Sequence, residues 1–139
     1  MMQYVLHLSV THLNMLHRHA EASLPLEAAA LLFGQMSGYS VFVYRIELMK
    51  NESLTSTTSF MVNPEEQYKL LVEAEEQDYE LVGIFHSHPA PPFPSAKDKY
   101  NMKLNTVVWL IASKDSGNWE SRAFLMDDEQ IKEVDLYLT

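Results

Sequence analysis

The chain contains no cysteine, which removes disulfide frameworks, thiolate metal sites and cysteine nucleophiles together. Any metal must then be held by His, Asp or Glu. Glycine is scarce, with four residues in all, so long flexible tethers are not expected. Basic residues are also few: ten Lys and Arg stand against nineteen Asp and Glu, for a net charge of -9, and no basic run could neutralise successive phosphates. Nucleic acid is not an expected partner. Long apolar runs are missing too. A stretch such as 107–112 falls far below the roughly 20 residues that span a bilayer, and the N-terminus lacks a charged-then-apolar signal layout. The expectation is a cytoplasmic protein without a membrane partner.

What remains is ample apolar material. With 47% hydrophobic residues spread over 139 positions, one core can form unaided, and two would both be undersized. Residues 1–139 therefore read as a single domain. Ser9 or Thr11 can cap a first helix in which Val10, Leu13, Leu16 and Ala20 recur at helical spacing, and Pro25 ends any continuation. The run AAALLF from Ala28 to Phe33 reads as a strand stopping at Gly34. Residues 39–48 pair with it across a turn near Ser37 and Gly38. Thr57 to Val62 reads as a third strand, preceded by a polar loop over 49–58. Asn63 and Pro64 then open a helix expected to reach about Tyr79. Further strands are expected at 81–85, 107–112, 121–126 and 131–138, with an apolar N-terminal strand at 4–8. The fold class is mixed α/β. Exposed edges at the N-terminal strand, Tyr39 or Tyr137 would allow a homodimer.

The segment FHSHPAPPFPSAKD, residues 85–98, carries the chemistry. On an extended strand His86 and His88 face the same way, because side chains alternate with period two. Pro89, Pro91, Pro92 and Pro94 stiffen the connection that follows. Ser95 stands where a helix would start, and Asp98 lies in its first turn, where a carboxylate can reach back to the histidines. Two imidazoles and a carboxylate, with a fourth position open to water, is the arrangement of catalytic zinc, which lowers the pKa of bound water to roughly 7. Each part has a plainer explanation alone: SAKD is also a capping box, and the spacing of His7, His12, His17 and His19 suggests a solvated helix face. It is the joint occurrence that favours the metal site.

These residues resemble the JAMM (MPN+) metalloprotease family, whose signature is a distant glutamate followed by H(S/T)HP and SxxD. Upstream, PLEAAALLFG from Pro25 to Gly34 is similar to the family's PxExxGxLxG-like stretch at Pro25, Glu27, Leu32 and Gly34. Two departures stand out. Ala30 replaces a usual glycine, and six residues rather than seven separate His88 from Ser95. The resemblance covers nearly the whole chain. It implies an MPN fold, a mixed and largely antiparallel sheet sandwiched by helices and related to the cytidine-deaminase layout. Deaminase chemistry itself is excluded by Ser87 beside His86 and by the missing cysteines. The resemblance further implies one zinc per chain on His86, His88 and Asp98, Glu27 as general base, and Ser95 as a donor to the oxyanion. Without it Glu27 would be an ordinary acid near a helix end.

The activity it implies is that of a small, prokaryote-style, deubiquitinase-like isopeptidase. Such an enzyme cleaves ubiquitin-like modifiers from conjugates or trims their C-terminal tails, which could lie along a sheet edge. The alternatives are a peptidase that processes a sulfur-carrier protein or another peptide, and a non-catalytic MPN scaffold. The intact set of Glu27, His86, His88 and Asp98 speaks against the scaffold.

Overall fold

The computed structural model describes residues 3–50 and 63–139. The strand expected at Thr57 to Val62 and most of the loop expected at 49–58 lie outside these described residues. In chain order the elements are β1 (Val5–Leu8), α1 (Val10–Ser23), β2 (Ala29–Ser37), β3 (Ser40–Met49), α2 (Pro64–Glu76), β4 (Glu80–Ser87), α3 (Ala96–Leu104), β5 (Val108–Ser113), β6 (Glu120–Asp127) and β7 (Gln130–Leu138).

Among the described residues seven strands form one mixed sheet in the order β1-β3-β2-β4-β5-β6-β7, which closes on itself through β1. The pairs β2–β3, β2–β4, β5–β6 and β6–β7 are antiparallel, while β4–β5, β1–β3 and β1–β7 are parallel. Closure corrects one expectation. The N-terminal strand is paired on both sides, with β3 and with β7, so neither it nor Tyr137 on β7 offers a free edge to a second copy.

Strand alternation sorts the core into two layers. Ala28, Ala30, Leu32, Leu110 and Ala112 face α1, meeting Leu16 and Ala20. Ala29, Leu31, Phe33, Trp109 and Ile111 face the other way, meeting Ala74 of α2 and Met102 of α3. Each large apolar side chain wholly removed from water, such as Leu16 or Phe33, stabilises the fold by about 2 kcal/mol. Both faces of the central strands are covered, which is why AAALLF and VVWLIA are continuous apolar runs rather than alternating ones.

Local signals explain the element ends. Ser9 rather than Thr11 caps α1, its hydroxyl accepting the His12 amide at 3.0 Å. Asn63 does the same for α2. That helix ends at Glu76, short of Tyr79, because Asp78 adopts a left-handed conformation (φ 61°) that no continuing helix permits. β2 does not stop at Gly34: it continues to Ser37 through a bulge at Phe33 and Gly34. A Cβ on Gly34 would lie 1.7 Å from the Phe42 carbonyl oxygen, so this glycine answers a close backbone approach, and the turn is made at Gly38 (φ 59°).

The histidines outside the HSH segment are not a solvated helix face. His17 Nε2 meets Ser121 Oγ at 2.7 Å, and His7 stacks on Phe42 with centroids 4.4 Å apart. His19 Nε2 lies 3.0 Å from the Ala29 carbonyl and 3.2 Å from that of Met49. The stripe of α1 laid on the sheet is therefore mixed, and the imidazoles of His17 and His19 bridge helix to strands.

Candidate active site

β4 carries His86 in its last turn of alternation, on the face shared with α3. There it is opposite Ala29 of β2 and Ile111 of β5. The ring is 1% exposed and meets Trp109 edge-on at 5.9 Å. One residue on, Ser87 points to the opposite face. Its hydroxyl accepts the Ala28 amide at 2.9 Å, and its own amide donates to the Ala28 carbonyl at 3.1 Å. These two bonds hold the chain at Glu27 against the histidine strand. His88 continues the ladder, its amide donating to Ala112 at 3.0 Å.

Asp98 arrives from α3. The expected capping box is present in full: Ser95 Oγ accepts the Asp98 amide at 3.1 Å, and Asp98 Oδ2 accepts the Ser95 amide at 2.8 Å. The other carboxylate oxygen lies 3.2 Å from His86 Nε2. Glu27 Oε1 is 3.6 Å from His86 Nδ1, and Asp98 Oδ2 is 3.9 Å from His88 Nε2. Glu27, His86, Asp98 and His88 thus form an unbroken series of contacts across three separate segments of the chain. The fifth candidate, Ser95, stands beside it with a hydroxyl oxygen already oriented by an amide.

The electrostatics follow from this placement. Burial by itself would depress His86, but Asp98 and Glu27 flank both ring nitrogens and together push its pKa up to about 9. Burial would raise Asp98, and it is outweighed by His86 and by the Ser95 hydrogen bonds, which leave the carboxyl below its ordinary range.

The proline segment is anchored from outside. Phe93 packs on Phe124 with centroids 5.9 Å apart and lies under Arg122, 4.9 Å from the ring centre. Two 3.0 Å bonds to Glu133 fix Arg122. The His88 ring leans towards this segment, Nδ1 at 3.1 Å from the Ala90 carbonyl and Nε2 at 3.1 Å from that of Phe93. As the side chains stand, no three His, Asp or Glu among the described residues surround one point as ion ligands. The donor set itself, two imidazoles and a carboxylate in contact, suits zinc, and reorientation of His88 away from its carbonyls is what would complete it.

Above the series of contacts opens a cleft of about 500 Å³, walled by Pro89, Pro91, Phe93 and Pro94, with Glu27, Asp98 and Ser95 inside it. No helix among the described residues is long and apolar enough to cross a membrane.

Sequence reasoning assigned nothing to Ser87 as a holder of Glu27, nor to His19. Alternation in HSH already turns the middle residue away from its neighbours, and a buried hydroxyl needs a partner. That much was a signal, although its partner Ala28, fifty-nine positions away in sequence, was not.

The chain is similar to known proteins in sequence and in fold. The family described as prokaryotic homologues of the JAB domain matches residues 9–126. A desampylase from Pyrococcus furiosus is 38% identical over 115 residues, covering 81% of this chain and 76% of that protein. The solution structure of a protein from Desulfitobacterium hafniense superposes with a TM-score of 0.83 at 28% identity, covering 97% of this chain and 92% of the other.

Proposed function

This chain belongs to the prokaryotic JAB-domain (JAMM) family, and on that premise we propose that it is a zinc-dependent isopeptidase, releasing ubiquitin-like modifiers from conjugates or trimming their C-terminal tails. The observation that carries the reading is the contact series Glu27–His86–Asp98–His88 at the floor of a cleft. A relative named as a desampylase supports a ubiquitin-like protein as the substrate.

His86, His88 and Asp98 would hold the ion. Zinc supplies a Lewis acid there, making water a competent nucleophile near neutral pH and polarising the carbonyl to be cut. Glu27, 4% exposed and pinned through Ala28 to Ser87, accepts the proton of the attacking water and returns it to the leaving amine. The Ser95 hydroxyl oxygen accepts the Asp98 amide, which leaves its hydrogen available to the developing oxyanion. Walls of proline and Phe93 receive an extended tail and limit the water around it. Lys97, Asp98 and Asn101 of α3 line the same cleft.

The test is metal content of the purified protein by mass spectrometry, paired with cleavage of a conjugate bearing a ubiquitin-like tail. About one zinc per chain and chelator-sensitive cleavage are expected. A protein that retains no zinc would overturn the reading.

A further inference from the structure

Glu27 stands on a stretch of chain that is packed on one side only. Leu24 and Leu26, which precede it, are 49% and 41% exposed, whereas Ala28 and Ala29, which follow, are buried. Water reaches the same stretch through a cleft of about 560 Å³ lined by His19, Leu24, Leu26 and Glu27. Apolar burial cannot fix the preceding residues there, so their position depends on hydrogen bonds.

Those bonds form a closed circuit with α1. The Ser23 hydroxyl donates to the His19 carbonyl at 2.8 Å, and the Ser23 carbonyl accepts the Leu26 amide at 2.8 Å. The chain then passes through Glu27 and Ala28 to Ala29, whose carbonyl oxygen lies 3.0 Å from His19 Nε2. The same nitrogen is 3.2 Å from the Met49 carbonyl. Ala29 and Met49 are the register pair at one end of the β2–β3 ladder, and Ala29 is also opposite His86 of β4. His19 therefore closes the ladder beside the buried imidazole of the active site, two positions from Glu27. Carbonyl oxygens only accept, so a neutral His19 ring must carry its proton on Nε2 and share it between the two. A plainer role, holding the helix on the sheet, is already filled by Leu16 and Ala20, both wholly buried.

We propose that His19 is a positioning residue for Glu27, acting through the Ala29 carbonyl to hold the α1 side of the general base while Ser87 holds its β4 side. The assignment rests on the isopeptidase reading and adds to it a side chain from outside the metal segment. Without the shared N–H, water from the cleft would enter the end of the ladder, and the Glu27 carboxylate would lose its fixed approach to the attacking water.

Two substitutions and one observation on the wild type test it. His19→Phe keeps a ring and removes the donor, whereas His19→Gln returns an N–H to the place of Nε2. In His19→Phe, kcat on a modifier conjugate should fall roughly tenfold or more with KM and zinc content unchanged, and His19→Gln should recover most of the loss. Hydrogen exchange of the Ala28 amide should quicken in His19→Phe and return in His19→Gln, while the amide of Leu16 keeps its protection in both. In the wild type, the nitrogen resonances of the neutral His19 ring should place its proton on Nε2. Unchanged kcat and Ala28 exchange in His19→Phe, equal losses in the two variants, or a proton on Nδ1 would each overturn the assignment. If the wild type cleaves no conjugate, the isopeptidase reading falls by itself, and Ala28 exchange still decides whether His19 holds the Glu27 segment.

Discussion

Asp98 places one carboxylate oxygen 3.2 Å from His86 Nε2 while the other accepts the Ser95 amide at 2.8 Å. Helix cap and prospective metal ligand are therefore not competing descriptions of the SAKD sequence. One oxygen serves each purpose, and the cap is what aims the other at the histidine.

That division separates two substitutions. Asp98→Asn keeps an acceptor for the Ser95 amide but removes the charge, so it should lose zinc, and the metal-free protein should give up the pairing with His86 while keeping the cap bond. Asp98→Ala should lose zinc and, with the cap bond gone, a further ~1 kcal/mol of stability. Metal stoichiometry and denaturant melts of chelated protein check both. An Asp98→Asn protein with a full complement of zinc would remove Asp98 from the ligand set.

Glu27→Gln preserves shape and burial while removing the carboxylate charge and with it the ability to take up a proton. The ligands survive, so zinc content should be unchanged while kcat falls by about 10²- to 10⁴-fold. Single-turnover cleavage with metal analysis on the same sample gives both values. Near-normal turnover would dismiss Glu27 as the base.

How far the sequence reached follows from the range of each interaction. α1 and α2 were legible from caps and periodicity because Ser9 and Asn63 act within three residues of themselves. The common facing of His86 and His88 was legible because alternation is local to β4. Closure of the sheet was not. β1 pairs in parallel with β3 and β7, up to 130 positions distant, and nothing in VLHL distinguishes a doubly paired strand from an edge. Gly34 was misread as a strand end because a bulge and a terminus both call for glycine. Glu27 was placed by resemblance alone, and its anchor, the Ser87 hydroxyl, required knowing that β2 and β4 are neighbours.

Ser87→Ala should reveal that anchor. The Ala28 amide, buried with its present acceptor, would be left without one, at a cost of about 1 to 3 kcal/mol. Because Glu27 is the adjacent residue, kcat should drop with zinc retained, and Ser87→Thr should recover much of it. Equal activity in Ser87→Ala and wild type would mean that the strand pairing alone positions the base.

The last expectation concerns pH in the metal-free protein, where His86 stands between Glu27 and Asp98 with a pKa near 9 against an ordinary 6.5. The folded state binds this proton more tightly than the unfolded chain. Its stabilisation is therefore complete below about 6.5, shrinks as pH rises towards 9, and is absent above that. Asp98 has the opposite sign: its pKa is lowered from 3.8, so its contribution is present above that value and lost as pH falls below it. Because the two groups share one interaction, it is counted once, with a ceiling of about 3 kcal/mol. Chelated wild type and His86→Gln should then differ most near pH 6 and converge towards pH 10, as read from urea midpoints. Curves that run parallel across that range would mean that His86 is not protonated between its two carboxylates. If they converge, zinc has to displace that proton to bind, and loading should release acid into a weakly buffered solution.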